Sequence, residues 1–102
     1  MEKQDIWFSF SPLVYEKMRE YAEKTGLPKV RSKFLLYLLH NYCPAVLQTD
    51  YSFSHSNRKM VCAKVTEQEV SFIKGLEIKY DRNTSALARD MVFTFLKEHK
   101  EL

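Results

Sequence analysis

The chain has 102 residues, 45% of them hydrophobic and 28% charged, and a formal net charge of +3. That apolar share excludes a disordered chain. The length allows one domain, or two very small units on a shared core, because a unit of about fifty residues is marginal alone. The mild positive charge permits a nucleic-acid partner without demanding one.

Residues 1 to 4 are polar and expected to fray. Ile6, Phe8 and Phe10 then alternate with Asp5, Trp7 and Ser9, the period of a half-buried strand over roughly 5–10. Ser11 is placed to cap a helix and Pro12 to open it, where a missing N–H does no harm. The helix carries Val14, Met18, Tyr21 and Ala22 on one stripe, and Gly26 followed by Pro28 ends it. A second helix starts between Lys29 and Ser32, buries Phe34, Leu35, Leu38, Leu39 and Tyr42, and stops before Pro44.

Residues 44–57, PAVLQTDYSFSHSN, have no helical period and read as a linker. Ala45-Val46-Leu47 can pack, and Tyr51 and Phe53 can extend a strand. Stretched out, the segment reaches about 45 Å, enough to cross a compact chain of this length with its radius of about 13 Å. In 59–65, Val61, Ala63 and Val65 alternate with Met60, Cys62 and Lys64, predicting a second strand. Thr66-Glu-Gln-Glu69 is a capping box and starts a helix over 67–79, with Val70, Ile73, Leu76 and Tyr80 as its stripe. The last helix is predicted over 84–99, with Leu87, Met91, Val92, Phe95 and Leu96 inward.

The order strand, helix, helix is thus written twice. Shifting by 55 places Ile6, Phe8, Phe10 and Ser11 on Val61, Ala63, Val65 and Thr66, and Met18 and Tyr21 on Ile73 and Leu76. Shifting by 53 places Ser32, Phe34, Leu38, Leu39 and Tyr42 on Ser85, Leu87, Met91, Val92 and Phe95. The change of offset falls in the turn between helices, where loop length costs little. The expected organisation is a first unit over 1–43, a linker over 44–57 and a second unit over 58–102, on one core. The expected class is mainly α, β-α-α twice. Paired antiparallel, the strands would hide Ile6, Phe8, Phe10, Val61, Ala63 and Val65 under the helices. A two-stranded ribbon of this kind fits the major groove, where base edges carry a distinguishable code.

Strand, helix, short turn and a helix opening Asn83-Thr84-Ser85-Ala86-Leu87-Ala88-Arg89 resemble the ribbon-helix-helix transcriptional regulators. Lys29-Val30-Arg31-Ser32 is a weaker version of the same opening. Family members pair one strand from each of two chains. Two copies in one chain resemble a built-in pseudo-dimer, similar to tandem regulators of archaeal viruses. The resemblance implies that Asp5, Trp7, Ser9, Met60, Cys62 and Lys64 face DNA bases. It implies that Lys29, Arg31 and Ser32 in one unit, and Arg82, Asn83 and Thr84 in the other, grip phosphate. Free amides and the helix dipole favour an anion at those helix starts independently of any family. The ribbon departs from the usual Arg, Lys, Asn, Gln or Thr, since Asp5 is repelled by phosphate and Trp7, Met60 and Cys62 are apolar. Lys3 and Arg58 at the strand ends are further candidates.

Each assignment has a plainer competitor. Trp7 contacts bases or packs under the linker or another chain. Cys62 reads as a small, half-buried residue with no activating neighbour. His40, Cys43, His55 and Cys62 match no zinc spacing, so no metal is expected. Asn83 and Ser32 suit a helix start whether or not phosphate binds. In the second helix Leu36 and Tyr37 stand where Arg89 and Asp90 stand in the last, so it is apolar almost all round and needs cover on a second side. Either Ala45-Val46-Leu47 folds back on it or another copy docks there, and self-association is the expectation.

With glycine only at Gly26 and Gly75 there is no phosphate-binding loop, and the three histidines have no nucleophile and carboxylate in register. No enzyme activity, cofactor or small-molecule substrate is expected. Phe34–Leu39, the longest apolar run, is too short for a bilayer, so no membrane partner is expected. Cys43 and Cys62 read as reduced thiols of a cytoplasmic protein, in the host cytoplasm if viral, with a bridge as the lesser alternative. Two functions follow. The first is a sequence-specific double-stranded DNA-binding transcription regulator, a repressor or activator that blocks or recruits at promoters. The second is a protein-protein interaction module, antitoxin-like or a host-factor inhibitor.

Overall fold

A computed structural model describes residues 3–102. The element order is β1 (Gln4–Phe10), α1 (Pro12–Thr25), α2 (Arg31–Asn41), β2 (Lys59–Val65), α3 (Glu67–Tyr80) and α4 (Thr84–Glu98). The expected fraying of residues 1 to 4 falls partly outside the described residues, while Gln4 already belongs to β1.

β1 and β2 form a two-stranded antiparallel sheet within the one chain, in a register that sets Asp5 against Lys64, Trp7 against Cys62 and Ser9 against Met60. The alternation decides which face is hidden. Phe8, Phe10, Val61, Ala63 and Val65 are buried and Ile6 is partly so. Four helices cover that face. α4 packs on β1 and α2 packs on β2, so each strand is held by the second helix of the other half. The buried residues of both halves form a single cluster.

Local signals place the helix ends. Thr66 and Glu69 form a reciprocal capping box at the start of α3. Asn83 Oδ1 accepts from the Ala86 amide at 2.9 Å and starts α4. Gly26 closes α1 at a φ of 78°, a left-handed conformation that a side chain makes costly. Ser11 stands at the α1 N-cap, but its hydroxyl does not cap. It donates instead to Asp50 Oδ2 at 2.8 Å.

That bond belongs to the segment between α2 and β2, which does more than connect. Leu47 and Asp50 are buried. Gln48 N donates to Thr94 Oγ1, Asp50 N donates to Asp90 Oδ1, and Arg89 lies over the Phe53 ring at 3.8 Å. The segment therefore runs along the outer side of α4, which explains why Asp90 and Thr94 are buried as well as the predicted stripe. The fold-back of Ala45-Val46-Leu47 onto α2, the alternative to self-association, is replaced by this path along α4. Leu36 remains half-exposed and Tyr37 exposed on α2. Tyr51 and Phe53 extend no strand.

Cys43 and Cys62 are free thiols. No helix among the described residues is long and apolar enough to cross a membrane.

Candidate nucleic-acid interface

The face of the ribbon turned away from the helices consists of three cross-strand pairs. At one end the Lys64 ammonium donates to Asp5 Oδ1 at 3.0 Å, with both side chains largely exposed. That hydrogen bond, and the charge behind it, holds the Lys64 ammonium above its usual pKa range. The pair leaves this end formally neutral, and the two residues best suited to polar base contacts are engaged with each other.

In the middle, Trp7 is 59% exposed and stands opposite half-buried Cys62. Of the two readings for Trp7, packing under the linker is excluded, because the linker lies along α4. At the other end the pair is Ser9 and Met60. Met60 is 42% exposed, whereas Ser9 is only 6% exposed and shares a 3.2 Å hydrogen bond with Ser85 Oγ at the start of α4. Ser9 was expected to look outward from the ribbon; the first turn of α4 folds over the strand edge and takes its hydroxyl.

A groove runs along each side of the ribbon, and each is bounded by the start of a second helix. One is lined by Lys3, Ser32, Lys33, Cys62, Lys64 and Glu69. The other is lined by Gln4, Trp7, Lys74, Glu77, Thr84 and Ser85, with apolar side chains beneath. The grooves differ in charge. In the first, Lys3 and Lys33 face Glu69 beside a Lys64 already paired with Asp5, while one lysine faces one glutamate in the second.

The helix starts differ in the same direction. The N-cap of α2 is Val30, which has no side chain to offer, and its first turn holds Arg31 and Lys33 with no acidic residue. Its leading amides are left without a side-chain cap, and the macrodipole adds to the positive potential. At α4 the Asn83 side chain already satisfies one amide, and Thr84 Oγ1 donates to Glu77 Oε2 at 2.7 Å. An anion is better accommodated at α2.

The expected phosphate residues separate accordingly. Lys29 and Ser32 stand at the α2 start, with Lys29 exposed. Arg31 is turned inward: its Nε donates to the Tyr15 carbonyl at 2.7 Å and its guanidinium stacks on the Tyr15 ring at 3.6 Å. Arg82 is further removed from an external role. It donates to Asp90 Oδ2 at 2.8 Å, the Tyr80 carbonyl at 2.7 Å and the Leu47 carbonyl at 3.2 Å, fastening the linker to α4. A buried carboxylate needs a counter-charge, and Asp90 takes this one. Arg58, at the head of β2, donates to the His55 carbonyl and stays exposed.

Lys33 and Lys74 were missed by the sequence reading. Lys33 was within reach, since it sits in the first turn of α2 one residue beyond a named site. Lys74 lies mid-helix in α3, and only the tertiary fold brings it beside the ribbon.

The other chemistry-bearing groups are dispersed. His40 stacks on Phe72 at 4.4 Å and lies 3.7 Å from Glu69, while His55 packs edge-on against Phe53. Among the described residues no three His, Cys, Asp or Glu side chains are grouped to hold a metal ion. Comparison with known proteins finds no family model, no curated protein and no solved structure that matches this chain.

Proposed function

We propose that the chain binds double-stranded DNA by laying the β1–β2 ribbon in the major groove, as a tandem ribbon-helix-helix pseudo-dimer regulating transcription. The observation that carries this reading is the ribbon itself: one face is buried on four helices, and the other is open and flanked by the starts of α2 and α4. A two-stranded antiparallel ribbon has the width to enter that groove, and helix starts on its flanks are suited to backbone phosphates. The crossed packing of α4 on β1 and α2 on β2 supports the tandem view, because it relates the two halves as two intertwined subunits would be. The lysine-lined groove at α2 supplies the anchoring side.

Self-association belongs to the same reading. Tyr37 stays exposed on α2, and a second copy docking there would lengthen the footprint on DNA.

The decisive experiment is a mobility shift with a library of duplexes at two salt concentrations, with the mass of the protein in solution measured beside it. The proposal expects retention of a defined sequence and a steep fall in affinity with salt. Equal binding to every sequence, or none, overturns it.

One observation favours a second reading. The open ribbon face is formally neutral and displays Trp7 and Met60, a surface chemistry that also suits a protein partner. In that reading the chain is an interaction module, and its affinity for the partner would change little with salt.

A further inference from the structure

The carboxylate, ammonium and hydroxyl of the open ribbon face each have a partner, and that restricts what the face can recognise. Asp5 and Lys64 close on each other at 3.0 Å, and the Ser9 hydroxyl is shared with Ser85 under the edge of α4. What projects from the ribbon is Trp7 and Met60, with Cys62 between them partly exposed. Their exposed surface is mainly apolar.

The floor of the major groove offers hydrogen-bond donors, acceptors and one apolar group, the 5-methyl of thymine. An apolar surface gains by covering another apolar surface. Pressed against a guanine N7 or O6, or a cytosine amino group, Met60 and the Trp7 ring face would displace water and return no hydrogen bond, and the one donor they carry is the indole N–H. Among the described residues no arginine stands on this face to reach two guanine acceptors, and its one lysine, Lys64, is engaged by Asp5. We infer that the ribbon recognises thymine 5-methyl groups through Trp7 and Met60, so that its target carries thymines beneath the middle of the ribbon and the Met60 end. This rests on the major-groove reading above and specifies its ligand.

The test begins with selection of bound duplexes from a random pool by the intact chain. Thymines in the selected site are then replaced one at a time by deoxyuridine, which keeps every hydrogen-bonding group and lacks only the methyl. Loss of one buried methyl is expected to weaken binding about fourfold. The Trp7→Ala, Met60→Ala double variant should bind the thymine and deoxyuridine duplexes equally. Trp7 is 59% and Met60 42% exposed, so part of each is packed on the ribbon; the variant's melting temperature is measured beside the binding curves, which are taken well below it. A selected site without central thymines, or full affinity for deoxyuridine duplexes, overturns methyl recognition and leaves DNA binding standing. Failure to select any sequence overturns the proposed function itself. Capture of a protein partner that the double variant loses, without duplex binding, assigns the face to that partner and overturns both.

Discussion

Arg82 donates from Nε to Asp90 Oδ2 at 2.8 Å, with Asp90 only 3% exposed. The same carboxylate accepts from the Asp50 amide, so one buried charge joins the α3–α4 turn, α4 and the connecting segment. Removing the arginine leaves that charge uncompensated. Arg82→Ala is expected to lower stability by about 3 kcal/mol, read as a shift of the urea midpoint. On the proposed DNA reading, its effect on binding should appear only through loss of folded protein. A clean change in the salt dependence of binding, with stability untouched, would contradict this placement.

Lys29 gives the opposite expectation. It is exposed at the start of α2, and its loss should leave stability within about 0.5 kcal/mol of the parent. On the proposed DNA reading, Lys29→Ala should weaken all duplexes by a similar factor and reduce the slope of log K against log salt by about one. Affinity measured at several salt concentrations on two unrelated sequences decides it. A sequence-selective loss would mean that the side chain reads bases.

Leu47 tests whether the connecting segment is structural. It is buried, and its carbonyl is held by Arg82. Leu47→Ala should cost about 2 kcal/mol or more in a urea titration. Val46, exposed beside it, should tolerate the same change almost without effect. Equal costs at the two positions would show that the segment is a passive tether.

Cys43 carries a pH prediction. Lys79 Nζ donates to its sulfur at 2.7 Å and the Tyr80 hydroxyl lies 3.5 Å away, contacts that favour the thiolate and hold its pKa below the ordinary thiol range. With burial and the same thiol beside it, Tyr80 is pushed the other way, to about 12. A depressed pKa in the folded chain means that any stabilisation from the thiolate is present above the ordinary thiol pKa. It is lost as pH falls through the folded value. Alkylation of Cys43 followed against pH should have a lower midpoint in the folded chain than in urea, and Lys79→Ala should move that midpoint up. Coincident profiles would refute the contact.

Much of the fold was legible because it is written in local signals. Alternation gave both strands and their hidden faces, Thr66 and Glu69 gave the start of α3, and Gly26 gave the end of α1. The buried stripes of α2 and α4 followed from helical period. The site was less legible, because whether a polar side chain is free depends on what the rest of the chain sets beside it. Ser9 alternates outward correctly, yet the first turn of α4, 76 residues away, covers it. Arg82 stands in the sequence where the family resemblance implies a phosphate ligand, and is claimed by a carboxylate that the connecting segment helps to bury. The path of that segment has no periodic signature, so its choice of α4 over α2 could not be read in advance.

The antiparallel pairing of β1 with β2 joins two segments of a single polypeptide. Its formation is therefore unimolecular, and dilution cannot part the strands as it parts those contributed by separate subunits. Inheritance is freed in the same way. A mutation at Trp7 changes one side only and imposes nothing on Cys62 across from it, so the two edges can diverge toward an unsymmetrical ligand.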